Sequence, residues 1–329
     1  MCAVSIVRGP CFRPAAVNGA TSMRTSRAIK IGIGSSKLDA LNGESIREEL
    51  ARSSPGLKTQ LVAVPARKEH KIGLRGKDEA ADLNELEKAL VARKIDIALS
   101  SMTDVTLELP REIQIGAVTK RVTPFDALIC LRDSILDDLD SGSRVATSSL
   151  RVKAQLLHYR SDLDVAWTDV TVETQMKRMA AGVFDGVVIS AADAESLGWQ
   201  DKVTEVFTTA LCLPAVGQGS LCLEVRRAEK EIVKLVKHLD DAVSRAEINA
   251  ELSFLRAVGG SGLLPCGALG RTNGNELVVE AFVASPDGKC LFKDVETGKL
   301  GEEAAIGAKL AKRILDEGGQ AIVAALEAV

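Results

Sequence analysis

Aromatic side chains are scarce in this sequence. One tyrosine, two tryptophans and seven phenylalanines amount to 3% of 329 residues, which leaves few platforms for stacking bases. A positive charge balance is missing too, the formal net charge being -3. Together these argue against nucleic acid as a partner. No apolar run approaches the ~20 residues of a membrane helix, so no membrane span is expected. Metal-ligand spacing is also lacking. The seven cysteines (Cys2, Cys11, Cys130, Cys212, Cys222, Cys266 and Cys290) are odd in number, scattered, and form no Cys-x-x-Cys. The histidines, His70, His158 and His238, lie far apart. This usage points to reduced thiols and no structural metal, with Cys130, Cys212 and Cys222 as small core residues of apolar runs.

Acidic residues are absent from the start of the chain, where the first is Asp39. Arg8, Arg13, Arg24 and Arg27 share that stretch with Ser5, Ser22 and Ser26. An acid-free leader of this kind over residues 1–27 resembles an organelle transit peptide, with a plain disordered tail as the alternative. No clean apolar core follows the first arginine, which argues against a secretory signal. Beyond the leader, 46% hydrophobic and 26% charged residues describe a soluble globular chain, long enough for two or three domains.

Strand and helix signals alternate through most of the chain. Ile29 to Ile33 reads as a strand, followed by Gly34-Ser35-Ser36 as turn and N-cap. A helix then runs to about Arg52, with Leu38, Leu41, Ile46 and Leu50 facing inward. Leu61 to Val64 is a strand, 66–80 a charged loop, and Asp82 to Arg93 a helix. The apolar run from Ile95 to Leu99 is a buried strand ending at Asp104, at the strand end where open α/β sheets gather ligands. Arg144 to Ala146 leads through Thr147, Ser148 and Ser149 into a helix containing Arg151. Such an arrangement is an anion cup, or simply a well-capped helix. A second strand-helix block closes near Ser190. The loop Leu213-Pro214-Ala215-Val216-Gly217-Gln218-Gly219 feeds a buried strand and is placed to carry the chain back between two α/β lobes. After it come helices over 230–239 and 241–257, a hairpin around Ser285-Pro286-Asp287-Gly288, and a helix over 302–315. This last part reads as a small α+β domain.

Several blocks occur in one order: Asn84-Glu85-Leu86-Glu87, Asp96-Ile97-Ala98 into Ser101-Met102-Thr103-Asp104-Val105, Thr147-Ser148-Ser149-Leu150-Arg151, the 213–219 loop, and Ala246-Glu247 through Glu251 to Gly259-Gly260. Taken together they resemble the hydroxymethylbilane synthase (porphobilinogen deaminase) family, from about Arg27 to the C-terminus. The resemblance implies two periplasmic-binding-protein-like lobes with a cleft between them, plus a small C-terminal α+β domain. It assigns residues 28–119 and 216–240 to the first lobe, 120–215 to the second and 241–329 to the third domain. It further implies condensation of four porphobilinogens on a covalent dipyrromethane cofactor, within tetrapyrrole (heme and chlorophyll) biosynthesis. Asp104 matches the catalytic Asp. Ser36, Thr147, Ser148, Ser149, Arg151 and Gln218 fall at substrate-binding positions.

Departures from the family pattern are numerous. Gly34, Ser100, Thr103, Val152, Asp169, Gln175 and Ser196 stand where the resemblance leads one to expect basic residues. Ser261 occupies the place assigned to the cofactor cysteine, and Cys266 lies five residues on, past Pro265. Each lost arginine removes a charge-assisted bond worth ~1.5–3 kcal/mol to a carboxylate ligand. The expectation is a family member without its cofactor and with impaired or absent chemistry, kept as a binding or structural paralogue with a protein partner. The alternative is an active deaminase with cofactor attachment relocated to Cys266. A third reading keeps the cleft as a site for a small anionic or porphobilinogen-like ligand around Ser148, Ser149 and Arg151. Within the family, the leader suggests a plastid location, with the mitochondrion as alternative.

Overall fold

The computed structural model describes residues 27–65, 84–105, 107, 109–259 and 264–327. From the N-terminal side the chain forms β1 (Ile29–Ile33), α1 (Lys37–Ser53), β2 (Thr59–Ala63), α2 (Glu85–Val91), β3 (Ile97–Ser101) and β4 (Ile113–Val118). It then crosses to β5 (Asp126–Cys130), β6 (Arg144–Thr147), α3 (Leu150–Tyr159), β7 (Asp164–Trp167), α4 (Val172–Ala180), β8 (Gly186–Ser190), α5 (Ala191–Ser196) and β9 (Glu205–Val206). A second crossing leads to β10 (Leu221–Arg226), α6 (Lys230–Val236) and α7 (Ala242–Ala257). The chain closes with β11 (Cys266–Asn273), β12 (Glu276–Ala284), β13 (Leu291–Lys299), α8 (Glu303–Ile314) and α9 (Gln320–Glu327).

Two five-stranded sheets share one plan. The first has the order β2-β1-β3-β10-β4, the second β7-β6-β8-β5-β9. In the first, β1 runs parallel to β2 and β3, and β10 enters antiparallel between β3 and β4. In the second, β6 runs parallel to β7 and β8, and β5 enters antiparallel beside β8. Each inserted strand is the first one after a crossing; the first sheet is completed only by β10 on the chain's return, while the strands of the second all lie between the two crossings. Two mixed sheets joined in this way form the two lobes of a periplasmic-binding-protein-like fold, as the resemblance implies.

Local sequence accounts for most of these elements. Ser36 and Asp39 form a reciprocal capping box at the start of α1, satisfying amide donors that the first helical turn leaves unpaired. Asn84 and Glu87 do the same for α2, which begins later than expected; residues 82 and 83 lie outside the described residues, as does the 66–80 loop. Ile31, Ile97, Leu99, Leu223 and Val225 pack with Ile46 and Leu50 of α1 in the first core. Leu41, expected to face inward, is instead 37% exposed.

The third domain is a β11-β12-β13 antiparallel meander with α7 and α8 packed on it. Ile248, Phe254, Leu277, Val279, Ile306 and Leu310 fill its core. Sequence periodicity finds β12 but misses β11, whose Cys-Gly-Ala-Leu-Gly start offers no alternation. Gly267 is needed there, because a Cβ would lie 2.3 Å from the Pro214 carbonyl oxygen.

One carboxylate ties the three parts together. Glu251 on α7 is fully buried. It accepts a bidentate pair from Arg121 Nη1 at 2.7 Å and Nη2 at 3.0 Å. It also accepts the Gly217 amide at 2.7 Å and the Gly270 amide at 2.8 Å. Arg121 lies on the first crossing, Gly217 on the second and Gly270 in the third domain. Removing one partner of a buried pair leaves an uncompensated charge. Glu251→Ala is therefore expected to lower stability by ~3–5 kcal/mol in urea denaturation, and Arg121→Met with Glu251→Leu to recover part of that loss. A loss below ~1 kcal/mol for Glu251→Ala would show that the crossings are held by other contacts.

Candidate functional site

Between the lobes lies a cleft of about 1540 Å³. Its walls include Ser101, Thr103 and Asp104 from the end of β3, Thr147 to Arg151 from the start of α3, Asp193 on α5, the second crossing, and Cys266. Both sheets thus present their strand ends and helix starts to one space, where backbone amides are available for a ligand.

The second crossing sits under the β3 turn. The Met102 amide donates to the Ser220 carbonyl at 2.9 Å, and the Val122 amide to the Gly219 carbonyl at 2.9 Å. Gly217 adopts φ +77°, and a Cβ there would fall 2.5 Å from Met102 Cγ. Only glycine accommodates both the left-handed backbone and that approach. The organising loop is therefore packed directly against the segment carrying Asp104.

Asp104 closes a 3-10 turn and is exposed in the cleft. The Thr103 hydroxyl donates to it at 3.4 Å. Thr147 is buried, and its hydroxyl accepts the Ser149 amide at 3.1 Å. Ser149 caps α3 through the Val152 amide. Ser148 is exposed, and its carbonyl accepts the Trp167 indole N–H at 3.0 Å. These residues share one stretch of wall. Ser36 serves the α1 cap by bonding Asp39, which lines the cleft. Ser261 lies outside the described residues.

Arg151 has a different setting from an open anion cup. It is 7% exposed. Nη2 donates to Asp126 Oδ1 at 2.9 Å and to Gln218 Oε1 at 3.2 Å, while Nη1 donates to the Leu213 carbonyl at 2.6 Å. Burial works against its charge, but Asp126 and Cys212 together hold the guanidinium above its ordinary range. Gln218 completes the network, its Nε2 donating to Asp126 and its Oε1 accepting the Ala215 amide. Gln155, which sequence reading missed, brackets Leu213 by accepting its amide at 2.7 Å and donating to its carbonyl at 3.1 Å. Its position one turn after Arg151 on α3 is the only signal in the sequence. Arg151 and Gln218 are thus brought together as expected, yet as anchors of the second crossing.

Carboxylates dominate the described wall. Burial, reinforced by the charges of Asp104, Asp126 and Asp39, pushes Asp193 up to about 6. Among the described residues the wall's basic side chains are Lys120, Arg121 and Arg151, and the two arginines pair with Glu251 and Asp126.

Comparison with known proteins places this geometry. Residues 29–234 match the family model described as porphobilinogen deaminase, dipyromethane cofactor binding domain. The chain is 38% identical over 304 residues to a porphobilinogen deaminase of Pelotomaculum thermopropionicum, covering 90% of this chain and 96% of that one. Identity is 41% over 251 residues with that of Desulforudis audaxviator, covering 76% of this chain and 81% of the other. With the Syntrophus aciditrophicus protein it is 34% over 306 residues, covering 91% and 99%. The chain belongs to the porphobilinogen deaminase family.

Within that family the cofactor is dipyrromethane, and Cys266 is the thiol in the described cleft wall. It opens β11 half-buried. Burial pushes this thiol up to about 12, and the positive charge of Arg151 only partly opposes the rise. Thiolate is the reactive form, so this shift disfavours reaction at Cys266. Two outcomes follow from this geometry. Iodoacetamide at pH 8 is expected to label exposed Cys290 well before Cys266, as read by peptide mass mapping; equal rates would mean that Cys266 is activated. Arg151→Ala is expected to cost ~3–5 kcal/mol in urea denaturation by stranding Asp126 in the interior, and a fully stable variant would return Arg151 to ligand binding.

Proposed function

We propose that this chain is a porphobilinogen deaminase-family protein whose condensation chemistry is absent or severely impaired, and that it acts as a binding, regulatory or structural paralogue. One observation carries the reading. The segment Gly259-Gly260-Ser261-Gly262-Leu263-Leu264-Pro265 contains no cysteine, so the place where the family resemblance puts the dipyrromethane thioether offers no thiol. A serine hydroxyl is a weak nucleophile without an activating base. Burial pushes the Cys266 thiol up to about 12, and thiolate is the reactive form. These residues fit a dipyrromethane poorly. A growing polypyrrole also brings several carboxylates into the cleft, and fixed cations are the groups that hold carboxylates. The pairing of Arg121 with Glu251 and of Arg151 with Asp126 supports the same conclusion.

A second reading keeps an active deaminase with cofactor attachment at Cys266. It is favoured by the position of Cys266 in the cleft wall and of Asp104 at the strand end. A third reading takes the cleft as a site for a small anionic or porphobilinogen-like ligand; in the first, a protein partner gives the paralogue its role. The proposal takes residues 28–119 with 216–240 as one lobe, 120–215 as the other and 241–329 as the third domain. The arginine- and serine-containing leader supports a plastid location, with the mitochondrion as alternative.

Intact mass separates the two readings. Purified protein incubated with porphobilinogen and then denatured is expected to keep the mass of the unmodified chain. A gain equal to two condensed pyrrole units, mapped to Cys266 or Ser261, would overturn the inactive reading. Loss of turnover in Asp104→Ala would then establish the enzyme.

A further inference from the structure

The strand β13 is an outer edge of the third domain's sheet, and among the described residues it pairs with no strand but β12. In an antiparallel ladder the backbone groups of alternate residues turn toward the partner strand, and those between turn away from it. At the two ends of this ladder the Ser285 amide donates to the Cys290 carbonyl at 2.9 Å, and the Leu300 amide to the Asn275 carbonyl at 3.1 Å. The even-numbered residues of β13 therefore face β12, where Asp294 lies opposite Ala281 and Glu296 opposite Val279. Val295, Thr297 and Lys299 turn their backbone groups off the edge. Such an edge, with Val295 46% exposed at its middle, is a template for strand addition.

Side chains already occupy that template. Asp294 Oδ1 accepts the Val295 amide at 2.7 Å, and Arg313 Nη2 donates to the Val295 carbonyl at 2.7 Å. Glu296 Oε1 accepts the Thr297 amide at 3.3 Å. The Lys299 amide donates to Glu302 Oε2, and its carbonyl accepts the Glu302 amide, each at 3.1 Å. Five of the six outward groups at these three residues are thus taken without a second strand. Arg313, near the end of α8, holds the arrangement together. Its Nε donates to Asp294 Oδ2 at 2.6 Å and its Nη1 to Glu296 Oε2. One guanidinium spans both acids and the carbonyl between them, which a planar fork of donors allows and a single ammonium does not. Lys309, one turn earlier on α8, also pairs with Glu296, at 3.1 Å.

We infer that Arg313, together with Asp294 and Glu296, is a guard that closes the β13 edge to strand addition by a second copy of this chain. This role is separate from the cleft and from its chemistry. Two physical effects act together. Backbone groups that already have partners gain little from a new strand. Charge opposes self-pairing as well: an antiparallel pair centred on Val295 would set Asp294 of each copy opposite Glu296 of the other, and like charges directly opposite are destabilising. The hydrogen bond from Arg313 holds Asp294 below its ordinary value, which keeps it the anion that this opposition needs. Opening the edge therefore requires loss of the guanidinium and of both acidic charges.

Sedimentation velocity of the full chain over a range of concentrations tests this, comparing the wild type with a variant that combines Asp294→Asn, Glu296→Gln and Arg313→Met. The variant is expected to shift, as concentration rises, toward a species of twice the wild-type mass. A folded variant that sediments like the wild type at every concentration would overturn the guard. Adding Val295→Pro removes an outward N–H and leaves the β12 ladder intact, so it is expected to abolish the association; association that survives the proline would place the contact elsewhere and equally overturn the inference. Hydrogen exchange gives a readout that needs no variant to fold. In the wild type the Val295 amide is expected to exchange more slowly than an unstructured amide, although no strand covers it, and exchange at the unstructured rate would show that the edge is open.

Discussion

Four donors converge on the buried carboxylate of Glu251, and the relation between the three parts of the molecule depends on that convergence. The two lobes meet at two crossings, and crossings are weak points because a few backbone dihedrals there can swing a whole lobe. Arg121 fixes the first crossing and Gly217 the second to a single side chain of α7. The Gly270 amide brings the third domain's sheet to the same point. Burial raises the proton affinity of Glu251, with Arg121 opposing that rise, so the ion pair is what keeps a charge tolerable at full burial. The third domain acts, in this sense, as the hinge pin of the other two.

A second buried ion pair, Arg151 with Asp126, holds the wall of the cleft. The guanidinium reads the Leu213 carbonyl and Gln218 together, so the cleft and the returning chain are shaped by the same group. A group that shapes the fold in this way cannot be removed without stranding its buried partner.

How legible all this was differs by element. The capping signal at Ser36 named the start of α1, because an N-cap acts through neighbours three residues away, whereas the Asn84 cap of α2 was not read from the sequence. The Ile97-Ala98-Leu99 run and the loop before β10 were readable for a similar reason: burial on both faces leaves an unbroken apolar stretch. Gln218 and Arg151 could be placed near the cleft, but not joined to Asp126, which lies 25 residues from Arg151 and 92 from Gln218. β11 was missed because its glycines answer to Pro214 and Glu247, residues of other elements.

The sequence by itself therefore determined most of the succession of strands and helices, β11 excepted, together with the family and the absence of a cysteine from 259–265. Those are properties of local pattern, or of which side chains are present at all. Tertiary structure alone decided which charges face each other. It turned Arg151 into an anchor and Glu251 into a hinge pin. An ion pair depends on distance and dielectric, and does not exist until strands far apart in sequence have been laid side by side.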